Sequence, residues 1–389
     1  MKLECCALCD KPFDGVTAFN SREHIILNSI GGKKKVPWVL CKECNDRTGN
    51  DWDSVLAEQL SFLSIFVNIK KDRGEQRAVD VVTMSGQQIR KHADGHLTFR
   101  PEPPVITKTE SGASFSASVS TMEEARKLLE GLKRTYPKLD VESELKKLKL
   151  EETYLPDPVK SSVNIGGGTS GRSIVKSAFV LAVHSGVVPQ HCEFARRYLT
   201  GDDEAFCWWF YYDREVITNR SPHQIFHCVA VMGNPRTKQL VGYVEFFGAF
   251  RMLVLLSTNY SGEEFSASYA IDPTTGEELV LSVKLDIPAD EVRTACDGGY
   301  HYVAGFTAAM NWLIPLARDR SFARERERII EEASLEALSR FGLAPGEPLG
   351  PEQTAERTRL ILERLQPCLL HQAKALSTPI ELPEEWKDS

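Results

Sequence analysis

Four cysteines open the chain in two matched pairs, Cys6 with Cys9 and Cys41 with Cys44, each a C-x-x-C. Thiolates at this spacing converge in the tetrahedron that a structural Zn²⁺ prefers, so the metal would staple the two ends of a segment too small to hold itself by apolar burial. Ordinary buried or redox thiols are the other use of cysteine, and two such pairs so close together suit it less well. Cys5 is a spare, at the poorer C-x-x-x-C spacing. Between the pairs run Ser21-Arg-Glu-His-Ile-Ile-Leu27, a Gly31-Gly32 turn and the triple Lys33, Lys34, Lys35, and Asn45 directly follows the last cysteine. These are residue types that cutting a phosphodiester needs. His24 can take a proton from water near neutral pH. Glu23 and Asn45 offer hard oxygens to Mg²⁺ or Mn²⁺. The lysines, with Arg47, can meet a phosphate backbone, although a lysine triple taken alone reads equally well as a solvated loop.

The order C-x-x-C, E-H-I-I, G-G, V-L-C-x-x-C-N resembles the HNH endonucleases of the ββα-metal, zinc-knuckle type, over residues 6 to about 56 only. The resemblance implies a ββα module in which His24 takes the place of the general base that activates the hydrolytic water. Glu23 and Asn45 take the places of the ligands of the catalytic ion. One departure stands out: Val36 occupies the position where the middle Asn of the pattern is usual, so another group, such as a backbone carbonyl, must orient His24. Asn50 and Asp53, on a helix expected over residues 46–59, are both candidates for a further ligand or supporting contact. The departure also keeps a rival reading open, a zinc-knuckle nucleic-acid-binding regulator that has lost catalysis.

Positioning these residues is the work of a longer chain. With 389 residues and a net charge of −7, there is room for two or three domains, and an acidic surface confines nucleic-acid contact to a local basic patch. The fold class expected is α+β: the zinc-stapled HNH nuclease domain over residues 1–60, a β-rich segment with a helix and linker over 61–160, and an α+β C-terminal domain over 161–389 with a regulatory, targeting or dimerisation role. The six other cysteines are scattered, as reduced thiols are, which points to the cytoplasm. No signal peptide is evident near Met1, and no apolar run approaches the roughly 20 residues that span a bilayer, so no membrane partner is expected.

Local patterns fill in these segments. Residues 77–119 read as short strands with a hairpin at Asp94-Gly95, and Thr121-Met-Glu-Glu is a capping box opening a helix that ends before Pro137. The Gly-rich run from Asn164, with Arg172 and Lys176 nearby, could cradle phosphate, but it lacks P-loop order and reads better as a hinge or close packing. The following helix, 172–185, is apolar on most sides and should be buried. Six strands between residues 205 and 285 suggest an antiparallel meander. Its aromatics, Trp208 to Tyr212 and Tyr243, Phe246, Phe247 and Phe250, read as core rather than as a base-stacking platform. His92 with His96 and His223 with His227 are assigned no metal. Helices close the chain, with an apolar stripe through Phe322, Ile329, Ile330 and Leu335 that can pack on the body or on a second copy, and a last helix over 353–376. The whole reads as a metal-dependent DNA endonuclease, in bacterial anti-phage defence or restriction. A homodimer and a small-molecule or nucleotide activator fit that role.

Overall fold

The computed structural model describes residues 2–74, 76–99, 103–109, 112–117, 119–148, 154–155, 157–160, 167–201, 209–212, 214–298 and 302–377. Strands β1 (Asn20–His24) and β2 (Lys35–Cys41) form an antiparallel hairpin in which Glu23 pairs with Val36 and His24 with Lys35. Side chains alternate between the two faces of a strand, so Glu23 and His24 point opposite ways, the first buried and the second half-buried. Then come α1 (Lys42–Thr48), a π turn over Gly49–Asp53, α2 (Ser54–Gln59) and α3 (Ser61–Val67). The hairpin and α1 are the ββα unit that the resemblance implies.

The chain groups into two units, Met1–Gln76 with Val163–Arg320, and Arg77–Ser162 with Ser321–Pro379. This grouping differs from a division at residues 60 and 160, because residues 6–69 share one apolar core with residues 174–317.

In the second unit, β3 (Val79–Thr83), β4 (Gln88–Lys91) and β5 (Leu97–Phe99) form successive hairpins, β6 (Val105–Thr109) pairs with β7 (Gly112–Ser116), and α4 (Met122–Thr135) and α5 (Val141–Lys147) pack on each other through Ala125, Leu129, Val141 and Leu145. Strand β8 (Val159–Lys160) completes a sheet of order β5-β4-β3-β8. The Thr121 hydroxyl caps α4 by accepting the Glu124 N–H at 3.1 Å.

The chain returns to the first unit with α6 (Gly167–His184) and α7 (Glu193–Thr200), followed by β9 (Trp209–Tyr211), β10 (His227–Asn234), β11 (Gln239–Phe246), β12 (Phe250–Ser257), β13 (Phe265–Ile271), β14 (Glu278–Leu279) and α8 (Ala289–Cys296). All pairs in the six-stranded sheet are antiparallel, in the order β14-β13-β10-β11-β12-β9. Strands β10 to β12 make the meander, while β13 crosses back to β10 and β9 pairs with β12. Both faces of β10 to β12 are covered, which is why these three strands are largely apolar. Val229, Val231, Val244 and Val254 face the core shared with α6 and the ββα unit, and Ala230, Tyr243, Leu253 and Leu255 alternate with them to face α8.

Tyr211, Tyr212, Tyr243, Phe246, Phe247 and Phe250 are all buried, as core aromatics; Trp208 lies outside the described residues. Helix α9 (Tyr302–Arg340) runs on through Pro315, and α10 (Pro351–Ser377) pairs with its second half at Ala333, Ala337 and Leu360. No helix among the described residues is long and apolar enough to cross a membrane.

Candidate functional site

The thiols of Cys6, Cys9, Cys41 and Cys44 lie within 4.8 Å of one another. Cys9 Sγ and Cys41 Sγ are 3.8 Å apart, close to the edge of about 3.8 Å that a tetrahedron of ~2.3 Å Zn–S bonds requires. Backbone amides already serve the sulfurs: Cys41 N–H donates to Cys6 Sγ at 3.3 Å, and Cys44 N–H to Cys41 Sγ at 3.4 Å. The hydrogen bond with Cys44, with help from the backbone, draws the Cys6 thiol down to about 4 against the cost of burial, so this sulfur is a ready thiolate. The donor set fits a structural zinc.

Asn45 comes next, on α1. Its Nδ2 donates to Ser21 Oγ at 3.1 Å and to the Arg22 carbonyl at 3.5 Å, which ties the amide nitrogen to β1 and leaves Oδ1 as its open donor atom. On β1, His24 Nε2 is buried without a hydrogen-bond partner. Burial, aided by the positive charge of Lys35, lowers the His24 imidazole to about 4. It is therefore neutral at pH 7 with a ring nitrogen uncommitted, the state a proton acceptor requires. Val36, where the middle Asn of the pattern would stand, is 1% exposed and part of the core.

The opposite face of β1 carries an unexpected partner. Glu23 is 3% exposed, and its Oε1 accepts a 2.9 Å hydrogen bond from the ammonium of Lys176, on α6. The same ammonium pairs with Asp53 Oδ2, on the π turn, and reaches Thr48 Oγ1 at 3.4 Å. Ser173, one turn earlier on α6, donates to Asp53 Oδ1 at 2.5 Å. Burial alone would lower the Lys176 pKa, but Asp53 and Glu23 together outweigh it and raise it, so the group is an ammonium. Lys176 and Arg172 are thus not phosphate contacts. Arg172 donates to the Tyr198 and Gly201 carbonyls at 3.1 and 3.0 Å, and the Gly-rich run before residue 167 lies outside the described residues.

The lysine triple is built into the fold rather than hung from it. Lys34 Nζ stands 5.1 Å from the centre of the Tyr269 ring, and Lys35 pairs with Asp72. Arg47 is exposed. The preceding turn docks on the large sheet. His227 Nε2–H donates to the Ile30 carbonyl at 2.8 Å, Gly31 adopts φ +102° against Pro273, and a Cβ at Gly32 would fall on the Ile26 carbonyl. Sequence order named Asp53 as a candidate without choosing it, and it gave Lys176 a different task. What brings the two together is a pairing 123 residues apart in the chain.

Fold and site together define a four-cysteine ββα module with a histidine, an asparagine and a buried carboxylate on its hairpin and first helix. Residues 6–61 match the family model described as HNH endonuclease, so the N-terminal segment is similar to a family whose members are generally nucleases acting on nucleic acid. No curated protein and no solved structure matches the chain.

Proposed function

We propose that the protein is a divalent-ion-dependent endonuclease that hydrolyses DNA phosphodiester bonds, with His24 as general base. The observation that carries this reading is a neutral, half-buried imidazole with an uncommitted Nε2, at the position to which the sequence resemblance assigns the base. His24 takes the proton of the attacking water, and burial, aided by the charge of Lys35, keeps it from being protonated at rest. Glu23 and Asn45 would hold Mg²⁺ or Mn²⁺: the amide oxygen is open, and the carboxylate is one of two that share a single ammonium. The ion, when bound, neutralises charge growing on the phosphate. Arg47 and the lysine triple, Lys33 to Lys35, are the proposed backbone contacts, and the four cysteines the structural zinc ligands.

The larger domain is proposed to restrain or direct the activity, in a defence or restriction role under a small-molecule or nucleotide activator. Support for a homodimer comes from Leu362, Leu369 and Leu370 on α10, which are 47–65% exposed. The buried Val36 favours one rival, a nucleic-acid-binding regulator without catalysis.

Supercoiled plasmid separates them. Wild type should nick or linearise it with Mg²⁺ or Mn²⁺ and not with EDTA, and His24→Ala should lose the activity by about 100-fold or more. Equal cutting by both proteins would remove the reading. DNA binding with no ion-dependent cleavage, with or without infected-cell extract and a nucleotide panel, would establish the regulator.

A further inference from the structure

Lys176 stands in the middle of a core helix, with Ile174, Val175, Ala178 and Phe179 buried around it, and it is itself 1% exposed. Such a group cannot retract without pulling α6 out of the core. Its three N–H groups meet three oxygens, those of Glu23, Asp53 and Thr48. The charges, however, do not balance. Two carboxylates face one ammonium, so with both ionised one negative charge is left over in a largely buried pocket, where an unpaired charge is costly.

The two carboxylates are not held alike. Asp53 is tied to α6 twice, through Lys176 and through the Ser173 hydroxyl, whereas Glu23 has only Lys176 on that helix. Asp53 is therefore the standing counter-ion, and Glu23 is the surplus charge. Resting on the nuclease reading above, which gives Glu23 to the catalytic ion, we infer that Lys176 is a built-in competitor for that ion. Asp53 sets the strength of the competition by holding the ammonium. Glu23 is shared between the chain's own cation and a divalent one. Two cations on one carboxylate repel each other in an interior that screens poorly, so Lys176 weakens ion binding. When Glu23 turns to the divalent ion, Asp53 and Thr48 still satisfy Lys176. Lys176 and Asp53 are positioning residues that act on the reaction through Glu23.

Competition gives two conservative substitutions opposite signs, which a merely structural role would not. The readout is Mn²⁺ affinity of the full-length protein by electron paramagnetic resonance, measured in the His24→Ala background so that it does not depend on cleavage. Lys176→Met should tighten Mn²⁺ binding about tenfold or more, and Asp53→Asn, which leaves the ammonium wholly to Glu23, should weaken it by a similar factor. The double variant Lys176→Met/Asp53→Asn keeps one negative charge in the pocket, which favours folding if Lys176→Met alone does not fold. It should bind Mn²⁺ more tightly than wild type. With His24 present, plasmid cleavage should show the same order in the Mn²⁺ concentration for half-maximal rate, with a smaller change in the saturated rate.

Unchanged or weaker binding in the folded variants lacking Lys176, or tighter binding in Asp53→Asn, would overturn the competition. So would Mn²⁺ binding indifferent to Glu23→Gln, even with His24-dependent cleavage intact. The expected order of affinities in a protein that never cuts would instead overturn the nuclease reading and leave the competition standing.

Discussion

His227 gives the first unit a defined acid lability. The ring is fully buried between Phe246 and Phe247, with Nε2–H donating to the Ile30 carbonyl and Nδ1 accepting the Phe247 N–H at 3.0 Å. Burial lowers its pKa to about 4, against a weaker upward pull from the Ile30 carbonyl and Asp272, whereas the unfolded chain titrates near 6.5. Between those values the unfolded chain binds a proton that the folded chain refuses, so the stability His227 contributes is present above pH 6.5 and lost as pH falls towards 4. A difference of about 2.5 units puts the loss at ~1.4 kcal/mol by pH 5.5 and ~2.5 kcal/mol by pH 4.5.

The perturbation is His227→Gln, which cannot titrate. It costs about 1–3 kcal/mol at pH 7.5 because it leaves the Phe247 amide without its acceptor. Urea unfolding followed by tryptophan fluorescence is the assay, since Trp52 lies in the core of the first unit and Trp312 packs against it, while residues 77–162 and 321–379 of the second unit contain no tryptophan. Carboxylates and zinc thiolates titrate alike in both proteins, so the gap between them isolates His227. That gap should close by ~2.5 kcal/mol from pH 7.5 to 4.5, and a constant gap would refute the assignment of a neutral buried ring.

Two further outcomes concern the N-terminal module. Zinc should leave with the thiol titration: a chelator in excess, or Cys44→Ser, should lower the melting temperature of the first unit and open backbone amides 6–45 to hydrogen exchange, and protection unchanged by chelation would show the four thiols to be metal-free in use. Gly32→Ala should destabilise by more than ~3 kcal/mol, because the added methyl meets the Ile26 carbonyl rather than a side chain that can turn away; a melting temperature within a degree of wild type would show that the turn can shift.

The four-cysteine cluster was legible because its signal is local. The two C-x-x-C pairs need only their spacing to predict a four-sulfur cluster, and the alternation on β1 follows from adjacency: neighbours on a strand must face opposite ways. The strands of the large sheet were legible as segments, and in β10 to β12 covering both faces makes each a largely apolar run. Their order was not. Pairing β13 with β10 and β9 with β12 depends on which edge of the meander each crossover reaches, and side-chain patterning is the same for either edge. The role of Lys176 was hidden for a related reason. A lysine on an apolar helix, downstream of glycines, has the local pattern of an anion site, and only tertiary packing shows that its partners are two acids from the other end of the chain.

That packing bears on what the larger domain can do. Ile25, Ile26, Ile30, Leu40 and Leu56 of the ββα module are all fully buried in a core that also contains Val175, Phe179, Val229 and Val244. A fragment ending near residue 60 would bare these side chains and leave Glu23 and Asp53 without their cation, so the module has neither its core nor its charge balance alone. On the nuclease reading proposed above, control by the larger domain needs no separate inhibitory surface laid over the site. The helix that completes the core also carries the ammonium on Glu23, and any displacement of α6 alters the distance from Lys176 to that carboxylate and with it the charge that β1 would offer to the divalent ion proposed above.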